Sequence, residues 1–220
     1  MRLYKYIKTY GNYTNSEVTK LYQEGRIKVN GNIIPYLWIL NENDIVTIDD
    51  KVLEKFPFVY YLYYKPKGIR SDITSEATSY LKKLNLPYKV VPVGRLDKES
   101  EGLMILTNDG NFINELNDHS NNYTKDYLVT LKEKITPNFL ENVKEPFIIK
   151  DKKTLPIIIK QLDDYRALFT LQDGKYHQIR RAVIRSNNTV VLLKRVRIGP
   201  FTIGDLKPNE LKEFKTDLNY

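Results

Sequence analysis

A four-residue turn, Gly94-Arg95-Leu96-Asp97, is the first place in this chain where the residue types suggest chemistry. An apolar segment at residues 90–93 precedes the turn and another at 103–107 follows it, which predicts a strand on each side. Such a turn can display the Asp97 carboxylate at the edge of a sheet, where the Arg95 guanidinium would help to keep it ionised. Turns with a purely structural ion pair have the same pattern, so spacing alone leaves both interpretations open.

The segment at residues 125–130, KDYLVT, predicts a strand with two unlike faces. Alternate side chains of a strand point to the same side, so Lys125 and Tyr127 share one face and Asp126 lies on the other. A tyrosine that faces a substrate can stack on a nucleic-acid base. A tyrosine packed inside the sheet is the alternative, and this segment does not separate the two.

The segment at residues 174–181, GKYHQIRR, predicts a helix that starts near His177. Its apolar stripe is formed by Ile179, Ala182 and Val183. Arg180 and Arg181 flank that stripe, and a planar guanidinium can bind phosphate or carboxylate through two bonds. A solvated basic helix is the alternative. Three more cations in the next predicted strand make it less favoured, namely Lys194, Arg195 and Arg197.

The elements that must position these residues fall into two regions. In residues 1–50, apolar spacing predicts a helix over 2–10, and Thr14 with Glu17 predicts a capped helix over 15–24. Asn30-Gly31 predicts a tight hairpin turn. Residues 44–48 predict another short strand, and residues 51–57 a polar linker.

From residue 58 onwards strand and helix signals alternate, which predicts an α+β domain with a mixed or largely antiparallel sheet. The predicted strands are 58–64, 90–93, 103–107, 126–132, 155–160, 167–171 and 190–196. The predicted helices are 75–84, 110–117, 137–142, 177–186 and 208–214.

The charge balance favours a polyanionic partner. Lys and Arg outnumber Asp and Glu by 35 to 27, for a net charge of +8. Residues 1–50 are neutral, while residues 171–200 carry seven Lys or Arg against the single acid Asp173. The 17 tyrosines suit RNA, whose unpaired bases stack on aromatic rings, although tyrosine is also a common strand residue.

Several classes of protein are excluded or disfavoured by composition. The chain has no cysteine, which excludes disulfides, thiolate catalysis and iron–sulfur clusters, and its two histidines, His119 and His177, make a histidine-rich metal site unexpected. No nucleotide-cofactor or serine-hydrolase motif is present. No apolar run approaches the roughly 20 residues needed to cross a membrane, and no targeting segment is recognisable, so we expect a cytoplasmic protein.

Taken together, the segments resemble the pseudouridine synthases that modify ribosomal RNA, in the branch containing RsuA and its large-subunit relatives RluB, RluE and RluF. The matching segments are 60–68 (YYLYYKPKG), 94–110 (GRLDKESEGLMILTNDG), 125–131 (KDYLVTL), 174–183 (GKYHQIRRAV) and 193–199 (LKRVRIG). Residues 1–50, with RLYKYI and EGRIKVNG, are similar to the small RNA-binding module named after ribosomal protein S four. The similarity covers nearly the whole chain.

The resemblance implies a fold and a division of the chain. The fold is α+β, with a small αα-β module followed by a catalytic domain whose bent, mixed or antiparallel sheet is flanked by helices. The module spans residues 1–50, the linker 51–57 and the catalytic domain 58–220.

The resemblance also implies the chemistry. Such enzymes detach uracil from C1′ of a uridine, rotate it and rejoin it through C5, with no metal and no cofactor. Asp97 matches the essential aspartate, which acts either as the nucleophile or as the group that starts glycosidic cleavage. Tyr127 matches the tyrosine that stacks on the target base and could remove a proton from the sugar. Arg180 matches the arginine that pairs with the aspartate.

Further residues are expected to bind the substrate. Those of the catalytic domain are Arg95, Lys125, His177, Gln178, Arg181 and Leu193. Those of the N-terminal module are Arg2, Lys5, Lys20, Arg26, Lys28 and Asn30. Because the module is neutral, we expect binding to depend mainly on residues 171–200, with Lys194, Arg195 and Arg197 on phosphates.

The expected partner is ribosomal RNA, free or in an assembling subunit, and the GKYHQIRR segment favours small-subunit RNA. We expect the enzyme to be a monomer with no membrane contact. The alternatives are a synthase acting on large-subunit RNA or on tRNA, and a non-catalytic RNA-binding assembly factor. The presence of Asp97, Tyr127 and Arg180 together favours the enzyme.

Overall fold

Two helices and a small antiparallel sheet occupy the chain up to Val52, in a computed structural model that describes residues 1–11, 13–71 and 78–216. The elements are α1 (Leu3–Tyr10), α2 (Asn15–Gln23), β1 (Ile27–Val29), β2 (Val46–Ile48) and β3 (Lys51–Val52). Their apolar side chains form a core of their own, with Leu3, Ile7 and Val18 almost fully buried. β3 extends this sheet two residues past position 50.

The local signals of this region are largely confirmed. Thr14 and Glu17 form the predicted capping box at the start of α2, with the Thr14 amide donating to Glu17 Oε2 at 2.7 Å. Asn30 and Gly31 both have positive φ, 52° and 81°, as a primed hairpin turn requires. The predicted hairpin stops at a single bridge to Asn32, because Pro35 interrupts the following segment, and β1 pairs with β2 instead.

Beyond the linker, nine strands of the described chain form one mixed sheet. They are β4 (Tyr60–Lys65), β5 (Val91–Pro92), β6 (Glu101–Thr107), β7 (Lys125–Leu131), β10 (Ile158–Gln161), β11 (Arg166–Leu171), β12 (Val190–Ile198), β13 (Phe201–Thr202) and β14 (Leu211–Glu213). The order is β10-β11-β7-β12-β6-β4-β14, with β5 beside β6 and β13 beside β12. A separate ribbon is made by β8 (Ile148–Ile149) and β9 (Lys152–Lys153). The predicted α+β architecture is confirmed.

Four helices flank the sheet in the described residues. They are α3 (Thr78–Lys83), α4 (Gly110–Asn117), α5 (Pro137–Lys144) and α6 (Gln178–Arg185). The last three agree with the predicted helices to within two residues. The predicted start of α3, at Ser75, lies outside the described residues. Residues of α5 and α6 share one core with β7, β11 and β12, which packs this half of the sheet.

The helix predicted over residues 208–214 is wrong. Asn209 adopts a positive φ of 70°, and the Glu210 amide closes a turn on the Lys207 carbonyl at 2.9 Å. The chain then continues as β14, which pairs with β4 with Leu211 opposite Tyr63. The apolar spacing of so short a segment fits a helix and a strand equally well, and the open edge of β4 decides between them.

The two halves of the sheet meet where β6 and β12 run parallel over only two residue pairs, Lys194–Glu101 and Arg195–Gly102. Gly102 has a φ of +110°, and a Cβ added there would lie 2.2 Å from the carbonyl oxygen of Arg195. Only glycine permits both this backbone conformation and this approach. The close approach of β6 to β12 therefore requires glycine at position 102.

We expect Gly102→Ala to lower the free energy of unfolding by about 3 kcal/mol or more, because it adds both backbone strain and a clash with Arg195. Gly110→Ala at the start of α4 is the matched control, since a Cβ there meets nothing within 4 Å. Urea unfolding of both variants checks this. Equal midpoints for the two variants would contradict the role of Gly102.

A contact between α2 and the segment before β5 depends on Glu17. Lys89 Nζ lies 2.9 Å from both oxygens of its carboxylate. Hydrogen bonds from Lys89 and from the Thr14 backbone lower the pKa of Glu17 to about 2. The pair is half-exposed, so its contribution is small.

We expect Glu17→Gln to lower the free energy of unfolding by about 1 kcal/mol at neutral pH, because it weakens both the cap and the ion pair. The depressed pKa of Glu17 means that this difference is complete above pH 4.5 and vanishes as the pH falls through about 2. Urea unfolding at several pH values measures it. A difference that stays constant down to pH 2 would contradict the assignment.

Candidate active site

A cleft of about 540 Å³ opens beside the joint between β6 and β12. It is lined by three separated segments of the chain: the turn before β6, strands β7 and β12, and the loop before α6. Eight of the residues expected from the sequence to act on or bind the substrate line it, namely Arg95, Asp97, Lys125, Tyr127, His177, Gln178, Leu193 and Arg195. The fold therefore brings the three candidate segments into one site.

The floor of the cleft comes from the alternation of side chains on two strands. Lys125 and Tyr127 of β7 and Leu193 of β12 line the cleft, and Tyr127 pairs in register with Arg195. Asp126 lies on the other face, where Arg197 Nε donates to its carboxylate at 2.6 Å.

The turn that carries Asp97 is held by hydrogen bonds to its backbone. Ser71 Oγ accepts from the Leu96 amide at 2.8 Å and donates to the Leu96 carbonyl at 2.6 Å. The Gly68 amide donates to the Lys98 carbonyl at 2.7 Å. The backbone on both sides of Asp97 is thus fixed, so the turn has its shape before any substrate binds.

Arg180 contacts the segment after Asp97. Its Nη2 donates to the Glu99 carbonyl at 2.8 Å and to Ser100 Oγ at 3.3 Å. The ion pair with Asp97 that the resemblance implies does not occur among the described residues, because the guanidinium meets these two acceptors first. The side chain that faces Asp97 is His177, whose Nε2 lies 3.4 Å from Oδ1.

Arg195, which we expected to contact phosphate, instead lies inside the wall of the cleft. Its side chain is buried, with 2% of its surface exposed. Nε donates to the Leu103 carbonyl at 2.8 Å and Nη1 to the Arg95 carbonyl at 3.1 Å. Nη2 has no hydrogen-bond partner in the described chain. A cation bonded only to neutral carbonyls leaves a positive charge in the wall of the cleft.

The expected phosphate-binding strip on β12 is wrong for two of its three cations. Arg195 is buried, and Arg197 is bonded to Asp126 on the opposite face. Lys194 lies with its Nζ 4.8 Å from the centre of the Tyr64 ring. Alternation separates Lys194 from Arg195. The register shift between Arg195 and Arg197, which pair with Tyr127 and Asp126 in turn, then puts Arg197 on the face opposite to Arg195.

Two lysines near Arg195 show how positive the site is. Lys65 is fully buried, and its Nζ donates to the carbonyls of Pro66 and Ile69 at 2.8 Å. Burial, and then repulsion from Arg195, lower the pKa of Lys65 to about 8. The same two causes lower the pKa of Lys125 in the cleft. Such a concentration of cations attracts a polyanion.

The loop before α6 is organised by Asp173. Its buried carboxylate accepts from Lys175 Nζ at 2.6 Å and from Gln178 Nε2 at 2.7 Å. Burial would raise the pKa of Asp173, but these hydrogen bonds outweigh it and hold the pKa below the usual value. Gln178, expected to bind substrate, uses its amide here, while His177 begins α6 with a left-handed φ of 51°.

The remaining predicted residues lie elsewhere. Arg181 does not line the cleft, and neither do the module residues Arg2, Lys5, Lys20, Arg26, Lys28 and Asn30. Arg26 and Lys28 form exposed ion pairs with Asp49 and Asp50. Asn30 closes the module's turn by bonding to the Ile45 amide at 2.9 Å.

Comparisons with known proteins identify the family of this chain. Residues 59–184 match the family model described as RNA pseudouridylate synthase. The chain therefore belongs to the RNA pseudouridylate synthase family.

Its relatives are similar over most of their length. The small-subunit pseudouridine synthase A of Haemophilus influenzae is 29% identical, over 93% of this chain and 91% of that protein. The large-subunit pseudouridine synthase B of Bacillus subtilis is 28% identical, over 96% and 91%. A solved structure titled as a pseudouridylate synthase superposes with a TM-score of 0.68 at 28% identity, over 98% and 96%. The predicted enzyme class is confirmed.

Two features are absent from the described residues. No helix there is long and apolar enough to cross a membrane. No group of three or more acidic or histidine side chains there is arranged to hold a metal ion.

We expect Arg180→Ala to lower the single-turnover rate at least tenfold while the free energy of unfolding falls by no more than about 2 kcal/mol. The variant loses two bonds that position the segment after Asp97. Arg185→Ala, on the same helix with its guanidinium over Phe147, is the control. A rate for Arg180→Ala within threefold of wild type would remove the positioning role.

Proposed function

We propose that the protein converts a specific uridine of ribosomal RNA into pseudouridine, with Asp97 as the catalytic group. The observation that carries this proposal is the position of Asp97, on a fixed turn above an aromatic and cationic cleft. The family membership and the relatives named for ribosomal RNA support it. The bond between C1′ and N1 breaks, a bond between C1′ and C5 forms, N1 gains a proton and C5 loses one.

Residues of the cleft can bind the target base and act on its bond to the sugar. Uracil must leave its stack before C1′ can be reached, which costs a few kcal/mol. Stacking on Tyr127 and contact with Leu193 offset that cost. Asp97 then either attacks the sugar or the base, or initiates glycosidic cleavage, and Tyr127 is the group placed to accept a proton.

The cations divide into two kinds. Arg95 is exposed at the rim and suits a phosphate, while Lys125 and Arg195 lie deeper and make the cleft positive. Arg180 and Gln178 hold the two walls, and His177 contacts Asp97. A non-catalytic RNA-binding factor is not favoured, because it would have no need of Asp97, Tyr127 and Arg180 together.

The N-terminal region, residues 1–50, is proposed as an RNA-binding module similar to that of ribosomal protein S four, joined by residues 51–57 to the catalytic domain at 58–220. Arg2 and Lys5 are exposed at the start of α1. Arg26 and Lys28 can exchange their exposed carboxylate partners for phosphates, because such pairs contribute little. The proposed enzyme is a cytoplasmic monomer.

For the substrate we favour small-subunit ribosomal RNA, on the GKYHQIRR segment. Relatives named for small-subunit and large-subunit RNA match this chain at nearly equal identity, so their names do not decide the point. Mapping of both RNAs distinguishes the two.

We expect Asp97→Asn to bind ribosomal RNA within about twofold of wild type and to form no pseudouridine, because the amide keeps the shape but cannot act as a nucleophile. Filter binding and nucleoside mass spectrometry measure the two properties. Asp205→Asn, at an exposed carboxylate outside the cleft, is the control. Turnover by Asp97→Asn above 1% of wild type would contradict the assignment of Asp97 as the catalytic group.

A further inference from the structure

A second concavity, of about 260 Å³, adjoins the catalytic cleft. The two share five lining residues, namely Arg95, Leu96, Asp97, Tyr176 and His177. The second concavity adds Arg70 and Lys98, both exposed, and Asp97 is the one acid among its lining residues in the described chain. It is therefore a cationic site directly beside the reacting group.

Tyr176 is a supported aromatic surface at the boundary of the two concavities. Its ring stacks on His177, with centroids 4.0 Å apart and planes 15° apart, yet the residue is 52% exposed. The exposed Lys150 Nζ and Arg181 guanidinium lie over the ring, 5.5 and 5.4 Å from its centre. An exposed ring that stacks on His177 and lies beneath two exposed cations has the composition of single-stranded nucleic-acid sites.

The RNA chain must pass this place. When the target uridine lies over Asp97, its neighbours are tied to it by the backbone and leave the cleft within one nucleotide. The second concavity opens on the same Asp97 turn, so it is where a neighbouring nucleotide arrives.

We propose that this concavity is a subsite for the nucleotide adjacent to the target uridine, with Tyr176 stacking on its base and Arg70 and Lys98 binding its phosphate. The proposal rests on the proposed function of the cleft. Stacking and phosphate contact do not depend on base identity, so the subsite contributes affinity and orientation and accepts any base.

The test compares Tyr176→Leu, Tyr176→Phe and, as a matched control, Tyr165→Leu, which removes another exposed tyrosine that lines neither concavity. The probe is the ribosomal RNA fragment that contains the mapped uridine, intact or with an abasic residue at either neighbouring position. We expect Tyr176→Leu to raise KM five- to hundredfold with kcat nearly unchanged, and Tyr176→Phe and Tyr165→Leu to stay within twofold of wild type.

The abasic fragments separate stacking from a structural role. One of them should raise KM for wild type as much as Tyr176→Leu does, with no further increase when the two changes are combined. An equal effect of Tyr176→Leu on intact and abasic RNA would overturn the proposal, and so would a loss of kcat alone, which indicates that Tyr176 only orients His177. An unchanged KM would also overturn it.

A binding experiment tests the subsite separately from the proposed function. The slope of log affinity against log salt for a nine-nucleotide oligouridine should become shallower by about 0.7 in Lys98→Gln, the effect of one lost phosphate on a single strand. Wild-type protein that binds this probe but modifies no ribosomal RNA would overturn the function and leave the subsite supported if Tyr176→Leu and Lys98→Gln still weaken binding. Unchanged binding in both variants would overturn the subsite alone.

Discussion

The site depends on one close contact, the approach of β6 to β12 at Gly102 and Arg195. Because Gly102 has no side chain, the two backbones can meet there and join the two halves of the sheet. The same approach buries Arg195, whose guanidinium then reaches the carbonyls of Leu103 and Arg95. Arg95 precedes Asp97 by two residues, so the joint between the halves also sets the position of the turn that carries Asp97.

The electrostatics of the site follow from this burial. Arg195 is bonded to neutral carbonyls and has no carboxylate partner in the described chain, so its charge acts on its surroundings. Its repulsion adds to the effect of burial in lowering the pKa of Lys65 and Lys125. Burying cations without counterions is unfavourable for folding. The same cations attract a polyanion to the cleft, and its negative charge then compensates theirs.

Local patterns in the sequence predicted the parts of the site that depend on neighbouring residues. The strand–turn–strand around Asp97, the face shared by Lys125 and Tyr127, and the start of α6 at His177 all follow from spacing, and the structure places these residues in one cleft. Contacts across the sheet could not be predicted in the same way. The acceptors of Arg180 and the burial of Arg195 are set by the pairing of distant strands, which a charge count or a helical period does not contain.

The most direct test of the central claim is pseudouridine mapping of ribosomal RNA from cells that lack this protein, complemented with wild type or with an Asp97→Asn variant. We expect one uridine to lose its modification in the deletion, to regain it with wild type and to stay unmodified with the variant. An unchanged map in the deletion, or full restoration by the variant, would contradict the central claim.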